Sequence, residues 1–161
     1  MVTTATDQQY VDFKNMLIKR WKIHDLGPVR KFLGISVIKR SEKFELNQKE
    51  YILDLAKKFG TTQCNPVSKP LSSGVEGLES NKKTSDKPIQ QLIGSLLYIA
   101  NSTRPDILAA VSILARYTNQ PSELLWRYAK QVLKYLQSTC DESLMISDGS
   151  PIPIETFVDA D

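Results

Sequence analysis

One segment of the sequence, residues 89–100, carries apolar side chains on most faces of the helix that its spacing predicts. A helix without a polar face is buried, so it needs packing partners on several sides. Two further helical patterns follow, one opening at the start signal over 103–106 and one at 121–123. The sequence therefore predicts a bundle of helices over 89–139.

The first 60 residues combine helical and strand patterns. An apolar stripe at helical spacing runs over 10–21. Alternation over 32–38, a polar turn over 39–43 and a return over 44–46 predict a β-hairpin. A second helix over 47–60 ends at a glycine. Together with the bundle, these elements predict an α+β fold that is mainly helical.

Periodicity disappears over 66–88, which holds three prolines, two glycines, five serines and four lysines. A loop of that length inside one compact domain is uncommon, so we place a boundary there. The tail after residue 139 shows two strand patterns, over 143–146 and 152–158, that predict a C-terminal strand pair. The expected domains are therefore 1–60, a linker over 61–88, helices over 89–139, and a separate unit over 140–161.

Charge divides the chain into a basic body and an acidic tail. All 21 lysines and arginines precede residue 140, and the last 22 residues carry six carboxylates. This asymmetry is typical of a nucleic-acid-facing surface beside a carboxylate-rich element, or of a solvated surface of mixed sign. Two distant cysteines without a secretory signal favour an intracellular location, with cytoplasm and nucleus not distinguished. No uncharged stretch reaches the roughly 20 residues of a membrane helix.

The sequence lacks the residues that most catalytic mechanisms need. His24 is the only histidine, the cysteines are isolated, and phosphate-cradling glycine motifs are absent. Asp159 and Asp161 lie two residues apart, so on a strand they share one face, where carboxylates suit Mg²⁺. The alternative is an acidic C-terminus that is simply solvated.

Two groups of basic residues are candidates for nucleic-acid binding. Arg127, Lys130 and Lys134 recur three and four apart, so they share one helix face that could follow a phosphate backbone. Arg30 and Lys31 form a second basic site before the predicted hairpin. The alternative is that these cations only solubilise an exposed face.

A series of short motifs in consistent order resembles the reverse transcriptase–RNase H region of copia-type retrotransposon polyproteins. The series covers nearly the whole chain. The motifs are Asp25-Leu26-Gly27, Lys31-Phe32-Leu33-Gly34-Ile35, Leu46-Asn47-Gln48 with Tyr51, Phe59-Gly60, Pro70-Leu71, Ile93-Gly94-Ser95-Leu96-Leu97-Tyr98, Arg104-Pro105-Asp106-Ile107, Ala110-Val111, Tyr135-Leu136 and Val158-Asp159-Ala160-Asp161.

The resemblance implies a role for each region. The opening helix would be the palm helix that follows the catalytic Tyr-x-Asp-Asp turn of the polymerase. The hairpin with Phe32, Leu33 and Gly34 would be the palm-side primer grip, which presses the 3′ end of the primer toward the metals. The helix over 47–60 would begin the thumb, and 89–139 would complete the thumb and connection. Asp159 would be the first metal-binding carboxylate of an RNase H domain that begins within 140–161.

The resemblance also implies partners and a cofactor. The partners would be a template–primer duplex, RNA–DNA or DNA, and the remainder of the Pol polyprotein, with no membrane. The parent enzyme would use Mg²⁺, whereas we expect no tight Mg²⁺ binding by this chain. The sequence begins after the expected polymerase aspartates, so we expect an inactive fragment that contributes template–primer binding. The alternatives are a host-retained, non-catalytic module that binds protein or RNA, and a nuclease built on Asp159 and Asp161.

Overall fold

The computed structural model describes residues 6–41, 43–63, 65–71, 78 and 86–147. These described residues form five α-helices, a short 3₁₀ turn and four strands. In chain order these are α1 (Asp7–Arg20), β1 (Lys31–Phe32), β2 (Ile35–Arg40), β3 (Lys43–Asn47), α2 (Lys49–Lys58), α3 (Ile89–Ser102), the 3₁₀ turn (Pro105–Ile107), α4 (Leu108–Ala115), α5 (Glu123–Ser138) and β4 (Leu144–Ser147). The predicted α+β class is confirmed.

Helices α2 to α5 share one hydrophobic core. Helix α3 lies inside it, with Leu92, Leu96 and Ile99 fully excluded from solvent. The buried faces of α4 and α5 pack around it, and the apolar side of α2 packs against α5. Helix α5 shows why the pattern folds this way, because its buried residues recur three and four apart and its cations lie between them. The Ser122 hydroxyl caps its first turn by accepting a hydrogen bond from the Leu125 N–H at 3.1 Å.

A buried arginine joins the 3₁₀ turn before α4 to the C-terminal end of α5. Only 4% of the Arg104 side chain is exposed, and its guanidinium holds Asp106 through two bonds of 2.9 and 2.7 Å. It also donates to the carbonyl and hydroxyl oxygens of Thr139, at 2.8 and 2.7 Å, which satisfies the end of α5. Burial raises the pKa of Asp106, but the bonds from Arg104 and Tyr135 outweigh it and hold that pKa below its ordinary value.

The four strands form one antiparallel sheet in the order β1-β2-β3-β4. The predicted hairpin is confirmed as β2 and β3, with Val37 opposite Leu46. Strand β4 adds to β3, with Phe44 opposite Ile146. The predicted strand over 143–146 therefore exists, and its expected partner over 152–158 lies outside the described residues.

Helix α1 stands apart from the core. Thr6 caps it, with the Gln9 N–H donating to the Thr6 hydroxyl at 3.3 Å, but the helix buries no residue. The loop after α1 folds back along its apolar stripe and leaves a cleft of about 310 Å³. Asp25 fastens that loop by binding Lys14 at 2.6 Å and accepting hydrogen bonds from Tyr10 and from the Gly27 N–H.

The predicted domain boundaries stay predictions, but the packing adds two facts about them. Helix α2 lies in the same core as α3 to α5, although the predicted linker over 61–88 separates them in sequence. Leu71 and Leu78, both within 61–88, also pack on that core. Among the described helices, none is both long and apolar enough to cross a membrane.

Candidate nucleic-acid interface

The first candidate site is a tight turn between β1 and β2. Leu33 and Gly34 have φ values of 49° and 79°, and Phe32 pairs with Ile35 on either side of them. Two positive φ values in a two-residue loop define the turn that fits the twist of a hairpin. Glycine adopts this conformation freely, whereas leucine is strained in it.

This geometry corrects one expectation. The alternation over 32–38 predicted a single strand, which is wrong because Leu33 and Gly34 reverse the chain. The Leu33 side chain, 71% exposed, stands at the tip of the turn, and Phe32 is also exposed. Arg30 and Lys31 lead into the turn, and the Arg30 carbonyl accepts a hydrogen bond from the Val37 N–H at 2.8 Å. The structure therefore brings all five predicted residues of this site, from Arg30 to Gly34, into one projecting hairpin.

Two side chains from the helices hold this hairpin. The Lys31 ammonium binds the Glu50 carboxylate in the first turn of α2 at 2.5 Å. This hydrogen bond raises the pKa of Lys31 and lowers that of Glu50. From α3, the Tyr98 hydroxyl donates to the Leu33 carbonyl. Lys31 is thus partly neutralised, while the turn itself is anchored to the core.

The second candidate site is the outer face of α5. Arg127 is exposed, Lys130 and Lys134 are half-buried, and all three line a cleft of about 580 Å³ together with Trp126. Within the described residues, neither Arg127 nor Lys134 forms an ion pair. The predicted grouping of these cations on one helix face is therefore what the structure shows.

Lys130 differs from its two neighbours because it has partners in the chain. Its ammonium donates to the Gly60 carbonyl at 3.3 Å and lies 5.8 Å from the centre of the Trp126 ring. Gly60, with φ 65°, ends α2, where the Thr61 N–H bonds the Ala56 carbonyl at 2.9 Å. The Trp126 ring in turn meets Phe59 edge-on at 6.0 Å. Lys130 therefore lies beside an aromatic ring that also lines the cleft.

The two sites lie at opposite ends of α2. Glu50, which binds Lys31, is in the first turn of α2, and Gly60, which binds Lys130, follows its last turn. Ten residues of α-helix span about 15 Å. Within the described residues, the two basic sites are therefore separated by the length of α2.

The described residues do not fit a magnesium centre. No group of three or more His, Cys, Asp or Glu side chains in the described part of the chain could hold a metal ion. Two-metal phosphoryl transfer needs carboxylates that bridge both ions. Asp159, the predicted metal ligand, lies outside the described residues, as does Asp161, so the proposal for these residues stays a prediction.

Sequence reasoning did not find the residues that fix these sites in place. Tyr98 belongs to the motif Ile93-Gly94-Ser95-Leu96-Leu97-Tyr98, but nothing local indicates that its hydroxyl reaches a turn 65 positions earlier. Glu50 lies in the first turn of α2, where a negative charge is favourable in any helix. Its sequence position therefore does not indicate that it binds Lys31. Their roles depend on contacts between distant segments.

Comparison with known proteins supports the family resemblance that the sequence motifs indicate. The model of the family described as "Reverse transcriptase (RNA-dependent DNA polymerase)" matches residues 1–73. The chain is 30% identical over 158 residues to the retrovirus-related Pol polyprotein from transposon TNT 1-94 of Nicotiana tabacum, covering 92% of the chain and 12% of that protein. It is 31% identical over 147 residues to the corresponding polyprotein from transposon RE2 of Arabidopsis thaliana, covering 90% of the chain and 10% of that protein.

A shorter relative also matches. The chain is 32% identical over 152 residues to an uncharacterized mitochondrial protein of Arabidopsis thaliana, covering 91% of the chain and 63% of that protein. No solved structure matches the chain. The chain thus spans about a tenth of the length of the two polyproteins and less than two thirds of the mitochondrial protein.

These matches support a reverse transcriptase fragment, because the family model covers 1–73 and so includes the β1–β2 turn. More particularly, they support a fragment of the retrotransposon Pol polyprotein kind, since the similarity to such polyproteins extends over nine tenths of the chain. The predicted resemblance is confirmed at that level.

Proposed function

We propose that this chain contributes template–primer binding to a retrotransposon reverse transcriptase and carries no polymerase chemistry of its own. The observation that carries the proposal is the α5 face, where Arg127 and Lys134 form no ion pair among the described residues and line a cleft beside Trp126. Cations that follow a backbone and rings that accept a base or sugar are the two elements of sequence-independent binding.

The turn at Leu33 and Gly34 would be the second contact. It projects from the core, exposes Phe32 and Leu33, and has Arg30 beside it. In this proposal the turn meets the end of the primer strand, while the α5 face holds the duplex at a distance from that end. The length of α2, about 15 Å for its ten residues, lies between the two contacts.

Magnesium chemistry is not part of the proposal for the described residues. The parent family would use Mg²⁺ for phosphoryl transfer, and the acidic groups that the structure describes do not assemble a site for it. Whether residues 140–161 begin an RNase H domain with Asp159 as a ligand stays a prediction. The proposed contribution is therefore binding and positioning of the duplex.

The test measures how binding of an RNA–DNA duplex depends on salt. Binding by the full chain should be weak and independent of sequence. A plot of log affinity against log salt concentration should have a negative slope of about 0.9 per phosphate contact. Replacing Arg127, Lys130 and Lys134 with Gln should make this slope less negative by the equivalent of about two phosphate contacts. Lys130 should contribute less than the other two, because its ammonium already donates to the Gly60 carbonyl.

A matched control removes the same charge elsewhere. Lys19 and Arg20 in the last turn of α1, with the adjacent Lys22, are exposed and lie outside both sites. Their replacement with Gln should leave the slope nearly unchanged. Equal flattening by both triple variants would show that only net charge matters and would contradict the α5 interface. Template-dependent nucleotide incorporation by the purified chain would contradict the absence of polymerase chemistry.

A second candidate function is a host-retained module that binds protein or RNA. Its support is that a relative at 32% identity is a shorter protein rather than a polyprotein, and that α1 leaves apolar side chains exposed. The genomic frame distinguishes the two. Coding sequence that reads upstream into a Tyr-x-Asp-Asp turn and downstream into RNase H favours the polymerase, and a promoter and stop codon flanking this frame favour the module.

A further inference from the structure

Tyr98 connects helix α3 to the turn of the β1–β2 hairpin. Its hydroxyl donates a hydrogen bond to the Leu33 carbonyl, which belongs to one of the two turn residues with positive φ. The Tyr98 ring also contacts Tyr51 of α2, whose ring meets it edge-on at 5.6 Å and 90°. A side chain of α3 that packs on α2 thus binds one carbonyl of the turn.

The turn needs such an anchor because its own hairpin is short. Strand β1 is only two residues long and lies at the edge of the sheet, so few backbone hydrogen bonds hold it in place. Leucine at positive φ adds strain, so the turn conformation must be fixed by its surroundings. The second tie, from Lys31 to Glu50, is an exposed ion pair and holds the strand rather than the turn.

We propose that Tyr98 is a positioning residue for the primer terminus. It sets where the Leu33–Gly34 turn stands relative to the α5 face, and so where the end of the primer strand meets the chain when the duplex lies on that face. The inference rests on the proposed function, since it assigns to α3 the control of the turn that the proposal places at the primer end. Tyr98 itself is half-buried and acts through Leu33 rather than as a ligand of the nucleic acid.

The test uses Tyr98→Phe, which keeps the ring and its contact with Tyr51 and removes only the hydroxyl. Binding is measured for two RNA–DNA duplexes of equal length and sequence, one with a recessed primer 3′ end and one with that end closed by a loop. The wild-type chain should prefer the recessed end, and Tyr98→Phe should reduce that preference about fivefold, the effect of losing one hydrogen bond. Affinity for the closed duplex and the salt slope of binding should stay unchanged, because no phosphate contact is removed.

A matched control removes a different phenolic hydrogen bond. Tyr10→Phe deletes the bond from the Tyr10 hydroxyl to Asp25, 3.1 Å long, at the base of α1. It should leave the preference for the recessed end intact. Hydrogen exchange at the Gly34 and Ile35 amides should accelerate in Tyr98→Phe and not in Tyr10→Phe, which reports on the turn without nucleic acid.

The possible outcomes distinguish a failure of the proposed role of Tyr98 from a failure of the proposed template–primer binding. Equal loss of affinity for both duplexes, or an unchanged preference, overturns the positioning role, since a purely structural contact would not discriminate between duplex ends. A wild-type chain that binds neither duplex, or both equally, overturns the proposed primer contact of the turn and the role of Tyr98 with it. Faster amide exchange together with a selective loss at the recessed end supports the inference.

Discussion

Helix α1 and the helices α2 to α5 all carry apolar side chains at helical spacing, yet only α2 to α5 bury them. In the helical core, Leu96, Leu133 and their neighbours are excluded from water on every side. On α1, Met16, Ile18 and the adjacent Trp21 stay exposed, and polar contacts to Asp25 fasten the loop that follows. Amphipathic periodicity therefore predicts a helix in both regions, whereas burial depends on how many other elements surround it.

The largest expected effect tests this contrast by truncating one side chain in each region. Leu133→Ala should cost about 3 kcal/mol of unfolding free energy, because it leaves a cavity in a fully buried site. Met16→Ala should cost less than about 0.5 kcal/mol, because the Met16 side chain is 57% exposed. Urea denaturation of the two variants measures both values. Equal destabilisation would contradict the contrast and would show that α1 is covered in solution, which a dependence of stability on protein concentration would reveal.

The next effect concerns the polar side of the same core. Arg104→Ala should cost roughly 2–3 kcal/mol, because it breaks the ion pair with Asp106 and removes both hydrogen bonds to Thr139 at the end of α5. Removing an exposed pair gives the control: Lys57→Ala breaks the contact of Lys57 with Asp54 at 3.6 Å on the surface of α2, and should cost less than about 0.5 kcal/mol. If both variants lose the same stability, the Arg104 network is no more than a surface pair.

These two regions also show what the sequence can and cannot predict. The helices of the core follow from local periodicity and from caps such as Ser122, and the β2–β3 hairpin follows from alternation. The burial of Arg104 does not follow from any local pattern, because a charged residue in a helix-start motif is expected at the surface. Its partner Thr139 lies 35 positions away in the sequence.

The candidate sites divide in the same way. The cations of α5 share a face because helical spacing dictates it, so the sequence predicts that site directly. The Leu33–Gly34 turn interrupts a clean alternation, and only the backbone angles of those two residues reveal it. The contact from Tyr98 and the pairing of β4 with β3 join segments about 65 and 100 positions apart, which no local pattern encodes.

A smaller effect on stability is expected from replacing two glycines of the core helices, one after the end of α2 and one inside α3, and the two changes should have opposite signs. Gly60→Ala should cost about 1 kcal/mol, because residue 60 has φ 65°, where an L side chain is strained. Gly94→Ala should stabilise the chain by about 0.5–1 kcal/mol, because residue 94 is inside α3 and an added Cβ would meet no heavy atom within 4 Å. Thermal unfolding of the pair gives the sign of each change. Destabilisation by Gly94→Ala would mean that the exposed side of α3 is covered in solution.

The smallest effect concerns α1, where Asp25 and not a core holds the loop. The hydrogen bond from Lys14, then those from the Gly27 N–H and Tyr10, lower the pKa of Asp25 to about 2. A carboxyl whose pKa is depressed on folding stabilises the fold above its ordinary pKa of 3.8, and that contribution disappears as the pH falls toward 2. The Gly27 amide, which donates to Asp25 at 2.8 Å, should therefore shift in an NMR titration with a midpoint near 2 and exchange faster at low pH. Asp25→Asn should abolish that titration and leave the amides of α3 and α5 protected, since the polar contacts of α1 contribute nothing to the core. A midpoint close to 3.8 in the unsubstituted chain would mean that Lys14 and Asp25 are not paired in solution, and that α1 lacks even this polar attachment.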